Sequence, residues 1–328
     1  MDSQSLYLNT LNEEQKAALQ TSLVILQKNY KFQRVMLWGK VLGSKADYFI
    51  AQGRGEDEMK DRKNLYSLDC VDWFLLPPAT GPLIDQVSGA AKGRFTGDPS
   101  HMYEHRVTSR LGEGDEEEEV VTKVNEESRL AVTIHHIEEE VSVVPRGAFV
   151  KSPHGLVQIN RSFGGLSHSE AGKLDSFLHF SEPKNLKKKS ILETSQLNPA
   201  IDFLDVLSDD IPKGSWNLQF ECGSKVCVLR SLLWLGLTFY HVPMTPQHGY
   251  IYIGDGAKNL DFPFFTPHQA GTSPASEPTT PAPHHHPYSP PHRTRHQADI
   301  LSTYSKSSRI QLFHTAHRMP YMQQYGVT

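Results

Sequence analysis

The chain has 328 residues, 38% of them hydrophobic and 21% charged, with a formal net charge of -4 at pH 7. That is enough apolar material for one large domain or two smaller ones, at ~150 residues each. It excludes the strongly basic surface that binding to nucleic acid or an anionic membrane would favour, so neither is expected as a partner. The opening Met1-Asp-Ser-Gln-Ser5 has no basic or apolar leader region, and no signal peptide is expected. The longest apolar run, residues 226–242, is broken by Arg230 and Gly236 and falls short of the ~18 residues of a membrane span. Cys70, Cys222 and Cys227 lie in strand-like runs without zinc-type spacing, which predicts buried, reduced thiols.

Taken in order, Thr10-Leu-Asn-Glu13 reads as a capping box. Leu11, Ala18, Leu19, Ser22, Leu23 and Leu26 follow at helical spacing and predict a helix over 11–28. From Val35 the period changes, and residues 35–41, 48–51 and 64–76 read as strands, the last ended by Pro77-Pro78. Gly53-Arg-Gly55 and Gly254-Asp-Gly256 read as turns, because a dinucleotide fingerprint needs its glycines between a strand and a long helix. The acidic run 113–119 lacks the alternating ligands and Gly turn of a calcium loop and reads as a solvated loop.

Leu130, Ile134, Ile137 and Val141 predict a helix over 126–140, carrying the adjacent His135 and His136. Neighbouring helical histidines diverge by about 100°, which makes a poor chelate. A short strand 141–144 and a turn at Pro145-Arg-Gly147 follow. Ser167-His-Ser-Glu170 reads as a second capping box opening a helix to about His179, and Asn198-Pro199 as the cap of a third, carrying Ile201, Leu204 and Leu207. Lys187-Lys-Lys189 has no interleaved aromatics and reads as loop.

Residues 211–256 are the most informative stretch. Trp216, Leu218, Phe220 and Cys222 alternate with polar residues, the period of a half-buried strand. Gly223-Ser224 turns the chain into the apolar run 226–233, which reads as a central strand; 237–242 and 250–253 complete an antiparallel meander. After Phe265 the composition shifts to Pro, Ser, Thr and His, including His284-His-His286, and residues 266–328 are expected to be a disordered extension. The predicted fold class is therefore α+β: an antiparallel β-rich core over 1–265 with a few packed helices, ending in the meander. A subdomain boundary is admissible near 110–125.

The same residues carry a family resemblance. Pro212-Lys-Gly-Ser-Trp216, Val228-Leu-Arg-Ser-Leu-Leu-Trp234, Gly236-Leu-Thr-Phe-Tyr-His241, Gly249-Tyr-Ile-Tyr-Ile-Gly254 and Asn259-Leu-Asp-Phe-Pro-Phe264 resemble the C-terminal signature of the radial spoke head proteins of motile cilia and flagella. Upstream, Leu37-Trp-Gly-Lys40, Ala46-Asp-Tyr-Phe-Ile-Ala-Gln-Gly53, Tyr66-Ser-Leu-Asp-Cys70, Lys92-Gly-Arg-Phe-Thr-Gly-Asp-Pro99 and Pro145-Arg-Gly147 continue it in colinear order over about residues 1–265. Leu235 stands where the family usually has Pro, which makes the bend at Gly236 less rigid.

The resemblance implies a non-enzymatic structural subunit of the axonemal radial spoke head, without cofactor or metal. Its implied partners are the larger paralogous head subunits and a MORN-repeat head subunit, and it leaves room for a homodimer within the head. Contact with the central-pair projections would be indirect, and the signal would pass through the spoke to dynein. Trp and Tyr dominate interface energetics, so Trp234, Phe239, Tyr240, Tyr250 and Tyr252 are the interface candidates. For Trp234 the core of the meander is the expected place, with an exposed anchor as the competing one. The alternative is an enzyme whose site assembles from dispersed residues such as His154, His168, His241 and Asp255, none of them at diagnostic spacing.

Overall fold

The computed structural model describes residues 11–109 and 118–261; most of the acidic run and the whole 266–328 extension lie outside the described residues. The first helix, α1 (Glu13–Asn29), is capped by Asn12 instead of Thr10. The Asn12 side chain accepts from the Gln15 backbone at 2.7 Å, and the Gln15 side chain accepts from Asn12 N at 3.2 Å. Asn is as good a cap as Thr, and the box sits two residues further on.

Then come β1 (Arg34–Val41), β2 (Tyr48–Arg54), β3 (Arg62–Ser67) and β4 (Phe74–Leu75). The strand expected over 64–76 is thus two, because the Asp69 carboxylate accepts from Val71 N at 2.9 Å and Asp72 N at 3.0 Å and turns the chain. Helix α2 (Gly81–Ala90) and the hairpin of β5 (Met102–Ser109) and β6 (Glu118–Asn125) were not foreseen from the sequence. The hairpin runs directly into α3 (Glu126–Val141), the helix expected at 126–140.

After α3 the chain makes β7 (Val143–Pro145), β8 (Phe149–Lys151) and β9 (Val157–Ile159). The Ser167–Glu170 box forms as expected, but α4 (His168–Ala171) lasts a single turn. Gly172 ends it, and Phe177 is required in the core, so β10 (Phe177–His179) pairs with β7 where helix was expected. After the short α5 (Ile191–Ser195), Asn198 caps a lone turn, its carbonyl accepting from Ile201 N at 3.0 Å and Asp202 N at 2.7 Å. No helix follows, because Arg146 pins the Asp202 carboxylate through Nε at 2.5 Å and Nη2 at 2.8 Å. The meander then arrives as β11 (Trp216–Glu221), β12 (Val226–Ser231), β13 (Leu237–His241) and β14 (His248–Gly254).

Eight strands form one sheet in the order β11-β12-β13-β14-β1-β2-β3-β4. Every pairing is antiparallel except β14 with β1, which is parallel and joins the two ends of the described chain. Gly39 sits at this seam, where a Cβ would lie 2.1 Å from Tyr252 O. Only glycine permits that approach.

Helices cover both faces around β2, which explains why β2 is buried along its whole length. Its alternating side chains serve two cores. Tyr48 and Ile50 join Leu130, Ile134 and Ile137 of α3, while Phe49 and Ala51 join Leu19 and Leu26 of α1. Burying each such side chain contributes roughly 1.5–3 kcal/mol. At the far edge β11 is wetter than its alternation predicts: Trp216 is buried but Phe220 is exposed. Cys222 belongs to the turn at φ 53 and is exposed, while Cys70 and Cys227 are the buried thiols expected.

Candidate partner-binding site

Most of the distinctive motifs are consumed in building the fold. Glu126 is fully buried at the start of α3, and residues 92–99 wrap around its carboxylate. It accepts from Thr96 N at 2.8 Å, Gly97 N at 2.7 Å, Tyr48 OH at 2.8 Å and Tyr103 OH at 2.5 Å. Burial acts to raise its pKa, but these donors outweigh burial and hold it below the ordinary carboxylate value. Arg129, one turn on, donates to Tyr103 OH at 2.7 Å and stacks 4.1 Å above the Phe95 ring. Gly97, at φ +86, has no room for a Cβ, which would sit 2.2 Å from Ala46 O. The motifs at 46–53 and 92–99 are therefore one device, locked by a carboxylate.

Over the β14–β1 seam, a cleft of about 420 Å³ opens between the large sheet and the β7, β8 and β10 layer. Phe149, Phe180, Val143 and Val144 form one wall; Arg34, Arg54, His248 and Tyr250 bring polar groups from the sheet. Arg34 pairs with Glu58 at 2.7 Å. Arg54 Nη2 donates to the Tyr250 hydroxyl at 3.3 Å, and its guanidinium lies 5.5 Å from the Phe180 ring centre. His248 Nδ1 donates to Pro246 O at 2.9 Å, and burial pushes its pKa down to about 4. The ring is therefore neutral at physiological pH.

The interface candidates differ in accessibility. Trp234, Phe239 and Tyr252 point into the main core, while Tyr240, next to Phe239 and so on the other face of β13, is 4% exposed in the lining of the cleft. Trp234 Nε1 donates to Glu140 Oε2 at 2.7 Å. The bend after it is made by Gly236 at φ +107, whose Cβ would strike Ile253 O at 2.1 Å, while Leu235 is exposed. Of the five candidates, Tyr240 and Tyr250 line the cleft, and Tyr250 is half-buried.

The residues of the enzyme alternative are not assembled by hydrogen bonding into one site. His241 is buried, with Nδ1 donating to Gln247 O at 3.0 Å and Nε2 accepting from Leu166 N at 3.1 Å. His154 and His168 are exposed, and the Asp255 carboxylate accepts from Ala257 N at 3.2 Å in a turn. His135 and His136 are half-buried on α3. Among the described residues no group of three or more His, Cys, Asp or Glu side chains is placed to hold a metal ion, and no helix is long and apolar enough to cross a membrane. Sequence reasoning missed Arg34, Arg54 and Phe180, which no spacing connects.

Comparison with known proteins agrees with the motifs. The family model described as radial spokehead-like protein matches residues 8–154. Curated relatives named radial spoke head protein 9 homolog match over 275 residues, which is 80% of this chain and 99% of the relative; the one from Danio rerio is 64% identical and that from Homo sapiens 50%. A relative of the same name from Bos taurus is 52% identical over the same span. With identity at this level over the full length of those relatives, the chain belongs to the radial spoke head protein family.

Proposed function

We infer that this chain is a non-enzymatic structural subunit of the radial spoke head in the axoneme of motile cilia and flagella. Its work is to complete the head, in company with the larger paralogous subunits and the MORN-repeat subunit. In that position it helps pass central-pair contact to dynein. The observation that carries the reading is the match of 64% identity over 99% of a relative named radial spoke head protein 9 homolog. The use of the motifs supports it: residues 92–99, Arg146 and Gly236 serve packing and turns.

An epitope-tagged chain expressed in ciliated cells provides the test. The tag is expected in the axoneme, and extraction of spoke complexes should recover both kinds of head subunit with it. A tag confined to the soluble cytoplasm, co-purifying with metabolic enzymes alone, would overturn the reading. So would purified protein that hydrolyses a nucleotide or ester and loses this on H241A.

A further inference from the structure

The cleft over the β14–β1 seam carries more positive charge than its neighbours neutralise. Arg54 is 1% exposed, yet its donors reach only the Glu58 carbonyl and the Tyr250 hydroxyl, and its Nε has no partner among the described residues. Arg62, outside the lining of this cleft and in a neighbouring pocket with Glu138 and Glu139, is held by carbonyls, with Nε 3.4 Å from Glu58 O and Nη2 2.7 Å from Phe180 O. Burial and the nearby Arg54 charge lower its pKa to about 10. Arg34 has Glu58, but its Nε is unpartnered too. The Glu138 carboxylate accepts from the Gln52 and Asn64 side chains and, with Glu139, acts to stabilise the Arg62 charge. The two guanidiniums that line the cleft, Arg34 and Arg54, thus have one carboxylate ion pair between them among the described residues, and a buried cation without a counter-ion is strongly disfavoured. An incoming anion relieves that imbalance.

The remaining surface specifies the kind of anion. A volume of about 420 Å³ is more than ten times the ~30 Å³ share of a water molecule. An inorganic anion would leave Phe149, Phe180 and Val143 uncovered, whereas a carboxylate side chain with an apolar neighbour fills both halves. Arg34, with its side chain 40% exposed, is open to solvent. Tyr250 accepts from Arg54, and among the described residues nothing accepts its proton, so its O–H is free to donate.

We propose that this cleft docks an acidic segment of a partner protein, through an Asp or Glu side chain adjoining an apolar residue. The carboxylate is taken by Arg34 and the Tyr250 hydroxyl, and the apolar neighbour packs on Phe149 and Phe180. This assignment rests on the reading that the chain works by association, but not on which proteins it joins.

Random heptapeptides displayed on phage, selected on the immobilised full chain with no ciliary protein present, test it separately from the spoke role. Recovered peptides are expected to be enriched in Asp or Glu beside Phe, Leu, Ile, Val or Met. Their binding should fall about tenfold or more on R34Q, as for a lost charge-assisted hydrogen bond, and about threefold or more on Y250F. Melting curves accompany both variants. If R34Q unfolds because Glu58 loses its partner, Y250F, which deletes one hydroxyl, and R34K, which keeps a cation but not the fork, provide the same readout. Recovered peptides without acidic enrichment, or acidic peptides indifferent to these variants, overturn the proposal. Full displacement by millimolar inorganic phosphate would make the cleft a simple anion site. Recovery only after deletion of residues 112–117 would give it to the chain's own acidic run. Either result also overturns the proposal.

Discussion

Trp234 and Glu126 concentrate the consequences of single side chains. Trp234 is 5% exposed and tied to Glu140, so W234A leaves a large cavity and takes one donor from the Glu140 carboxylate, which keeps its ion pair with Lys258. A loss of roughly 3–5 kcal/mol is expected, seen as a steep drop in melting temperature together with lost partner recovery. Lost recovery with unchanged melting would instead make Trp234 a partner anchor. E126Q removes the anion to which Thr96, Gly97, Asp98, Tyr48 and Tyr103 all donate, and a cost of about 2–4 kcal/mol is expected in denaturant titration. The pH dependence has a definite sign. Glu126 is depressed in the fold, so its contribution is complete above the ordinary carboxylate value and lost as pH falls through the lower folded value. His248, at about 4 in the fold against 6.5 ordinarily, stays neutral while the unfolded chain takes up a proton, so stability falls as pH drops from 6.5 toward 4. Burial lowers His241 in the same direction. Melting followed from pH 7 to 4 should decline throughout, and H248F should flatten the upper part of that decline.

At the scale of elements, two glycines define where strands can meet. G97A and G236A each place a methyl against backbone at positive φ, and each is expected to cost more than the ~1 kcal/mol of an ordinary glycine change. G223A, at a turn where a Cβ meets nothing, is the control and should show only the cost of its positive φ. The elements legible in the sequence were those with an unmixed period: the meander by its alternation, and α3 by Leu130, Ile134 and Ile137. Others were decided by contacts far away in sequence. The run after Asn198 is not helix because Arg146, 56 residues earlier, holds Asp202. The helix after Ser167 stops early because Phe177 packs against Phe239 at 5.5 Å between ring centres. Helix α2 has no side-chain cap hydrogen bond at Thr80 to announce it, and the β5–β6 hairpin is too polar to show a clean alternation. The cleft was illegible for the same reason, since positions 34, 54, 180 and 250 become neighbours only through the parallel seam and the layer beside it.

For the whole molecule, the relatives match 80% of this chain while being covered almost completely themselves. The remaining composition after Phe265 is rich in Pro, Ser, Thr and His. Truncation after residue 265 is expected to leave the melting temperature within about 2 °C of the full chain, since it removes none of the core side chains among the described residues. A larger drop would show that the extension belongs to the fold. The central claim is that the chain is a structural part of the spoke head, and cryo-electron tomography of axonemes from ciliated cells lacking it tests this most directly. The account predicts radial spokes whose heads lose density, restored by re-expression of the native chain and not by W234A. Intact spoke heads in axonemes shown to lack the chain would contradict it.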